Sequence, residues 1–284
     1  MTWFFLAIIS VIFYSLSTIV QRKIMKNVDS DPVASMIIFQ FVVSGIIFLY
    51  ILLSGSPWPD IIKVWPFLLL NGVLVAIASI SMFQATKYTE AGEYTIIGTF
   101  SAFINLFVVT IFLHESLTVS KILGTILIIL SIFTVTEFSK HKKITWHKGH
   151  LYTLLSASAF GAVFASESYV ASQIGVLQDL LVGFFLPGII VLALKPRALN
   201  RVKELLNRGY LSKILSFSIL YLLGAITVFG AYVQGGDAGK IYGISNSTVI
   251  VTVVLAAIFL GEKDKALKKI LATISAFAGI MLLR

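Results

Sequence analysis

The chain has 284 residues, 58% of them hydrophobic and only 12% charged, with no cysteine and a formal charge of +9. A soluble domain of this size carries about 25% charged residues, so the composition belongs in a bilayer, and the absence of cysteine excludes disulfides, thiolate metal sites and thiol catalysis. The positive balance does not point to nucleic acid, because Lys and Arg sit in short loops between apolar runs and form no basic face.

Apolar runs of about 20 residues predict ten helices, at 3–22, 33–53, 64–86, 91–113, 118–137, 150–172, 177–194, 211–234, 239–260 and 266–283. The fold class is all-α integral membrane. Helix 1 lacks a basic leading region and a small-x-small cleavage site, and its positive charges, Arg22, Lys23 and Lys26, follow it, so it reads as a span and not a signal peptide. Asp31-Pro32 opens helix 2, and Ser56-Pro57-Trp58-Pro59-Asp60 separates it from helix 3. Trp3, Trp58, Trp65 and Trp146 all fall at predicted helix ends, where indole prefers the headgroup layer. Helix 4 follows Glu90-Ala91-Gly92 and runs into Phe112-Leu113-His114-Glu115, with Lys121-Ile122-Leu123-Gly124-Thr125-Ile126 beyond. A basic hinge at 139–149 precedes helix 6. Residues 197–208 read either as a short amphipathic helix on the headgroups or as an ordinary basic loop.

The second half repeats the first. Asp237-Ala238-Gly239 answers Glu90-Ala91-Gly92, and Phe259-Leu260-Gly261-Glu262 with Lys269-Ile270-Leu271-Ala272-Thr273-Ile274 answers the motif around Glu115, 147 positions away. Tyr14 corresponds to Phe160 and Gln21 to Glu167. The chain therefore divides into five-helix repeats at 1–138 and 150–284. Five is odd, so the second repeat enters from the opposite side, and an inverted pair is the geometry alternating access needs. Loops after helices 1, 3, 5, 7 and 9 carry all but four of the Lys and Arg, which by positive-inside reasoning puts them in the cytoplasm and both termini outside.

Ala-Gly before the fourth helix of each half, Phe-Leu-x-Glu at its end and the inverted five-plus-five repeat resemble the EamA-type members of the drug/metabolite transporter superfamily, across essentially the whole chain. Gly124-Thr125-Ile126-Leu127-Ile128-Ile129-Leu130-Ser131 is also similar to the pairing helix of small multidrug-resistance proteins, with Ala272 and Gly279 as the small residues of its partner. The resemblance implies a secondary transporter of amino acids, related metabolites or drugs. It also implies a cavity between helices 1, 3, 4, 6, 8 and 9, with helices 5 and 10 paired. Relatives are commonly drawn with both termini in the cytoplasm, against the charge count. Two departures stand out: neither helix 4 nor helix 9 holds the proline many relatives have there, and helix 1 lacks the embedded Glu of the small multidrug pumps.

Polar groups inside a bilayer are costly and mark function or packing. The candidate substrate-binding residues are Tyr14, Gln84, Glu93, Tyr94, Asn105, Glu167, Tyr169, Tyr232, Lys240, Tyr242 and Asn246. Glu167 reads as a protonatable group at a cavity mouth or as a wet interfacial carboxylate. Lys240, opposed by its helix dipole, reads as a partner for a substrate carboxylate or as a snorkelling side chain. The amides and phenols can replace a solute's water shell or bond between helices. Gly124, Ser131, Gly235, Gly239, Gly243, Ala272 and Gly279 are candidate packing positions, with unwinding of helix 9 as the alternative for its glycines. Glu115 and Glu262 are expected to face the N-termini of helices 5 and 10. Helices 2, 5, 7 and 10 have no charge between their ends and are expected to face lipid or pair. No Cys or carboxylate lies among His141, His147 and His150, so neither a metal nor a cofactor is expected.

No hydrolase, metalloprotease or phosphate-loop motif is present, so the chain is not expected to be an enzyme. The expectation is a secondary active transporter working by alternating access and exporting a small metabolite such as an amino acid. It would sit in the cell membrane as a multi-pass monomer or homodimer, with a coupling ion as a possible partner. The alternatives are efflux of lipophilic cations and a non-transporting membrane scaffold.

Overall fold

A computed structural model describes residues 2–27, 29–58, 60–112, 118–135, 137–138, 144–145, 147–207, 210–234, 241, 244–262 and 266–283. Its helices are α1 (Thr2–Met25), α2 (Pro32–Ser54), α3 (Trp65–Tyr88), α4 (Ala91–Gly98), α5 (Phe100–Phe112), α6 (Val119–Val135), α7 (Lys148–Ile174), α8 (Val176–Leu194), α9 (Ala198–Asn207), α10 (Tyr210–Val233), α11 (Thr248–Phe259) and α12 (Ala266–Leu283). Among the described residues six stretches are long and apolar enough to cross a membrane, and two shorter apolar helices accompany them. Large apolar side chains such as Phe5, Leu53, Trp65, Leu123 and Ile274 stand exposed on α1, α2, α3, α6 and α12. A soluble monomer does not leave so much apolar surface in water, so this belt faces lipid.

Local chemistry sets the helix ends. The Asp31 carboxylate accepts from Ala34 N–H at 2.9 Å, with Pro32 in the first turn, so α2 starts capped. Gly55, at φ +66°, ends it in the left-handed conformation that glycine adopts at no steric cost. The basic segment after α8 is helical: α9 seats Val202 and Leu205 against the bundle and leaves its charged residues outward, the amphipathic reading of 197–208.

Packing proceeds in long antiparallel pairs. α1 lies along α10, α3 along α7, α2 along α8, and α6 along α12, while α4 packs on α11. The α6–α12 seam is close. A Cβ at Gly279 would stand 2.6 Å from Gly124 O, Ser275 Oγ donates to Leu127 O at 3.0 Å, and Ser120 Oγ donates to Leu282 O at 2.8 Å.

Two expectations are corrected. Helix 4 is not one helix over 91–113: α4 and α5 meet at Thr99, whose hydroxyl and N–H both bond to Ile96 O, at 2.7 and 3.2 Å, tightening the backbone by one residue. The expected helix 9 carries the same device 147 positions on, with turns at Asn246 and Ser247, Ser247 N–H to Ile244 O at 2.8 Å, and Thr248 Oγ1 to Ser245 O at 2.5 Å. Hydroxyl-bonded turns thus stand where a proline was absent. Helix 2 pairs with α8 and exposes Leu49 and Leu53, and it also enters the core: Phe39 of α2 is 1% exposed and its ring lies 4.7–5.8 Å from those of Phe83, Phe184, Phe217 and Tyr221. Finally, helix 7 carries a buried charge, Asp179, in the first turn of α8.

Candidate functional site

A cavity of about 60 Å³ lies inside the bundle, lined by Phe39 of α2, Val75, Ser79 and Met82 of α3, Phe160 of α7, Asp179, Leu180, Gly183 and Phe184 of α8, and Tyr221 of α10. Ser79, Phe160 and Tyr221 lie nine to twelve residues from one end of their helices. At 1.5 Å per residue that is about 14–18 Å, near the middle of a 30 Å hydrocarbon layer. Ligand pockets commonly measure about 300–1,000 Å³, so this cavity is small.

Its wall has a definite chemical character. Four aromatic residues, Phe39, Phe160, Phe184 and Tyr221, line it together with one carboxylate, Asp179, which is 7% exposed. At the N-terminal turn of α8 the helix dipole favours that negative charge. Ser79 adds a hydroxyl, held from behind by Gln40 Nε2 at 3.1 Å; Gln40 is fully buried. Aromatic faces and a carboxylate both attract a cation. Among the lining residues there is no cationic group.

The sequence candidates fall in several places. Tyr14 is beside the cavity, its ring edge-on to Tyr221 at 5.3 Å; Gly224 makes room for it, since a Cβ there would meet the Tyr14 ring at 2.9 Å. Tyr94 packs on the same apolar core and bonds to Ser156. Gln84 and Asn105 are half-buried, and Asn246 sits at the turn before α11. Glu167 and Tyr169 lie on α7 and Tyr232 on α10, with side chains outside the described residues, as are Lys240, Tyr242, Gly235, Gly239, Gly243 and Glu115 altogether. Gly124, Ser131, Ala272 and Gly279 all lie on the α6–α12 pair. Asp179, Ser79, Phe184 and Tyr221 were missed. The signal for Asp179 was in plain sight, an acid in the first turn of an apolar run.

A second polar cluster closes one end of the bundle. Arg22, in the last turn of α1, donates through Nη1 to Thr86 O at 2.7 Å and Lys87 O at 2.9 Å, capping the C-terminus of α3. Its Nε lies 3.5 Å from Glu262 Oε1, and both side chains are at most 10% exposed. Glu262 in turn accepts from Gly92 N–H at 3.4 Å. Lys269 donates to the Glu90 carboxylate and, at 3.3 Å, to Glu262 O. Gly261, at φ +68°, turns the chain after α11 so that Glu262 points back at α4. The expectation that Glu262 faces helix 10 is therefore corrected: it serves the N-terminus of α4. Burial pushes its carboxyl above the usual carboxylate range, and Glu90 pushes the same way, against the pull of the Ala91 and Gly92 amides and of Arg22. Two cations and two anions thus join α1, α3 and α4 to α11 and α12. The contacts Gly92–Glu262, Glu90–Lys269 and Arg22–Glu262 span 170, 179 and 240 residues of sequence, which hid this cluster.

Residues 1–136, a little under half of the chain, match the model of the EamA-like transporter family. No curated protein matches the sequence. A solved structure known only as a crystal structure of protein superimposes with a TM-score of 0.62 at 10% identity, over 98% of this chain and 94% of that one. At that identity the likeness concerns the fold alone.

Proposed function

We propose that this multi-pass membrane protein, whose residues 1–136 match the EamA-like transporter family, is a secondary active transporter that moves a small amine-bearing solute through the central cavity by alternating access. The observation that carries the reading is the mid-bundle cavity walled by four aromatic rings and Asp179. An ammonium group gains a carboxylate and ring faces there, where a free carboxylate or phosphate gains no cation. Amino acids present such an ammonium, and export of an amino acid or related amine across the cell membrane is the function proposed. Lipophilic cations present the same charge with more apolar surface, which makes their efflux the second reading.

Two features support the mechanism. Exchanging the two halves converts the α1–α10 pair into α7–α3, and leaves α2–α8 and α6–α12 paired with themselves, the pattern expected of two inverted repeats. The ion network ties the two halves together at one end, and the small cavity fits a state closed on that side. Opening that end separates Arg22 and Lys269 from their carboxylates, at a cost the substrate and any coupling ion must offset.

Thermal stabilisation of the detergent-purified protein tests the reading. Neutral amino acids, simple amines and lipophilic cations are each added to the native chain and to Asp179→Asn. A ligand that binds the folded state raises its melting temperature with saturation. Stabilisation by an amine that disappears in Asp179→Asn supports the proposal, and the class that stabilises separates the two readings. A solute without a cationic group stabilising both proteins equally would sink it, and no shift with any ligand would favour a scaffold.

A further inference from the structure

The histidines of the hinge have a partner that the sequence conceals. His147 precedes α7 and His150 lies in its first turn, while Glu93 lies in the first turn of α4, more than 50 residues earlier. In the folded chain one ligand atom from each of the three lies within 4.8 Å of the others. His150 Nε2 is 3.5 Å from Glu93 Oε2, and the two imidazole rings are 3.6 Å apart. Gly149 makes the approach possible: a Cβ there would overlap Thr89 Oγ1 and stand 3.0 Å from Tyr88 C, so only glycine lets α7 begin against the end of α3.

We propose that Glu93, His147 and His150 form a binding site for a divalent transition metal of the zinc class. Two imidazoles and a carboxylate are the donor set of three-ligand zinc centres, which keep a fourth position for water. Tetrahedral bonds of about 2.0–2.1 Å place ligand atoms roughly 3.3–3.5 Å apart, the spacing found between His150 and Glu93. His150 is 1% exposed and fixed in place, whereas His147 is exposed and closes the remaining gap by side-chain rotation. His147 Nδ1 now accepts from Gly149 N–H at 3.1 Å; coordination through either nitrogen gives up that bond, because a neutral imidazole offers a single lone pair. Nitrogen donors with one oxygen disfavour Mg²⁺ and Ca²⁺, which need a fuller oxygen shell.

The position gives the metal a consequence. Glu93 follows Gly92, whose N–H Glu262 accepts, and lies three residues after Glu90, the residue before α4 that Lys269 holds. A bound ion would tie α4 of the first half to α7 of the second at the end the ion network already seals. It would act as a clasp that favours this closed state, and it does not depend on what the central cavity carries.

The test uses the full chain, free of any affinity tag and stripped with a chelator. Zn²⁺ binding is followed by calorimetry, and Co²⁺ substitution by its visible absorption. One saturable site with tetrahedral Co²⁺ bands is expected, with affinity falling more than about 10-fold in Glu93→Gln and in His147→Gln. His147 is exposed, so its variant keeps the fold even where a change at the buried His150 does not. His141→Gln should bind like the native chain. The proposal is overturned if native binding is no tighter than that of Glu93→Gln or His147→Gln, or if His141→Gln loses binding equally.

Discussion

Replacing Arg22 by Met removes one guanidinium from the sealed end and isolates what it does. At 3.5 Å from Glu262, with an effective dielectric of 20, the gross attraction is about 5 kcal/mol. The two bonds to Thr86 O and Lys87 O, at 2.7 and 2.9 Å, contribute about 1.5–3 kcal/mol each as charge-assisted bonds. Desolvation of both ions offsets much of that sum. Removing one partner of a buried pair costs about 3–5 kcal/mol, because the other charge is stranded. Arg22→Met is therefore expected to destabilise by that amount in thermal or denaturant unfolding in detergent. Glu262→Gln should cost less, about 1–3 kcal/mol: the Arg22 guanidinium keeps its bonds to Thr86 O and Lys87 O, and an amide oxygen still accepts from Gly92.

The pH dependence carries a fixed sign. Glu262 titrates above its ordinary value of 4.5 in the folded state. It therefore takes up a proton more readily folded than unfolded, and folding gains as pH falls through the folded value toward 4.5. Arg22→Met removes a cation that lowers that value, so its deficit should shrink between pH 8 and pH 5. A deficit that grows on acidification, or equal losses in Arg22→Met and Glu262→Gln, would refute the reasoning.

Two further substitutions probe the packing. Gly279→Val places branched carbons where Gly124 O and Ile128 already stand; a loss of about 1–3 kcal/mol is expected from overpacking, read as a lowered melting temperature, while Ala278→Val on the exposed face beside it should change little. Phe39→Ala empties the centre of the aromatic core beside the cavity and should cost about 3–5 kcal/mol, measured by denaturant unfolding; xenon or another small apolar probe should then restore part of the loss.

Hydropathy alone delimits the apolar segments, because a backbone in lipid must satisfy its own polar groups and a span needs about 20 residues, but it does not show the breaks at Thr99 and at Asn246–Ser247. The Phe-Leu-x-Glu motifs, 147 residues apart, point to the family whose model residues 1–136 match. Gly124 and Gly279 declare the close seam by being small. What chemistry meets what was decided only in three dimensions. Asp179 entered the central cavity because α8 starts with its first turn turned inward, which periodicity over one turn cannot reveal. Arg22, a loop charge by sequence, is a buried cap on α3, and Glu262 serves α4 and not its own helix. Glu93 and His150 are separated by 57 residues of chain and by 3.5 Å of space. A side chain's partners in a helix bundle lie on other helices, and helix order along the chain does not state which faces meet; packing does.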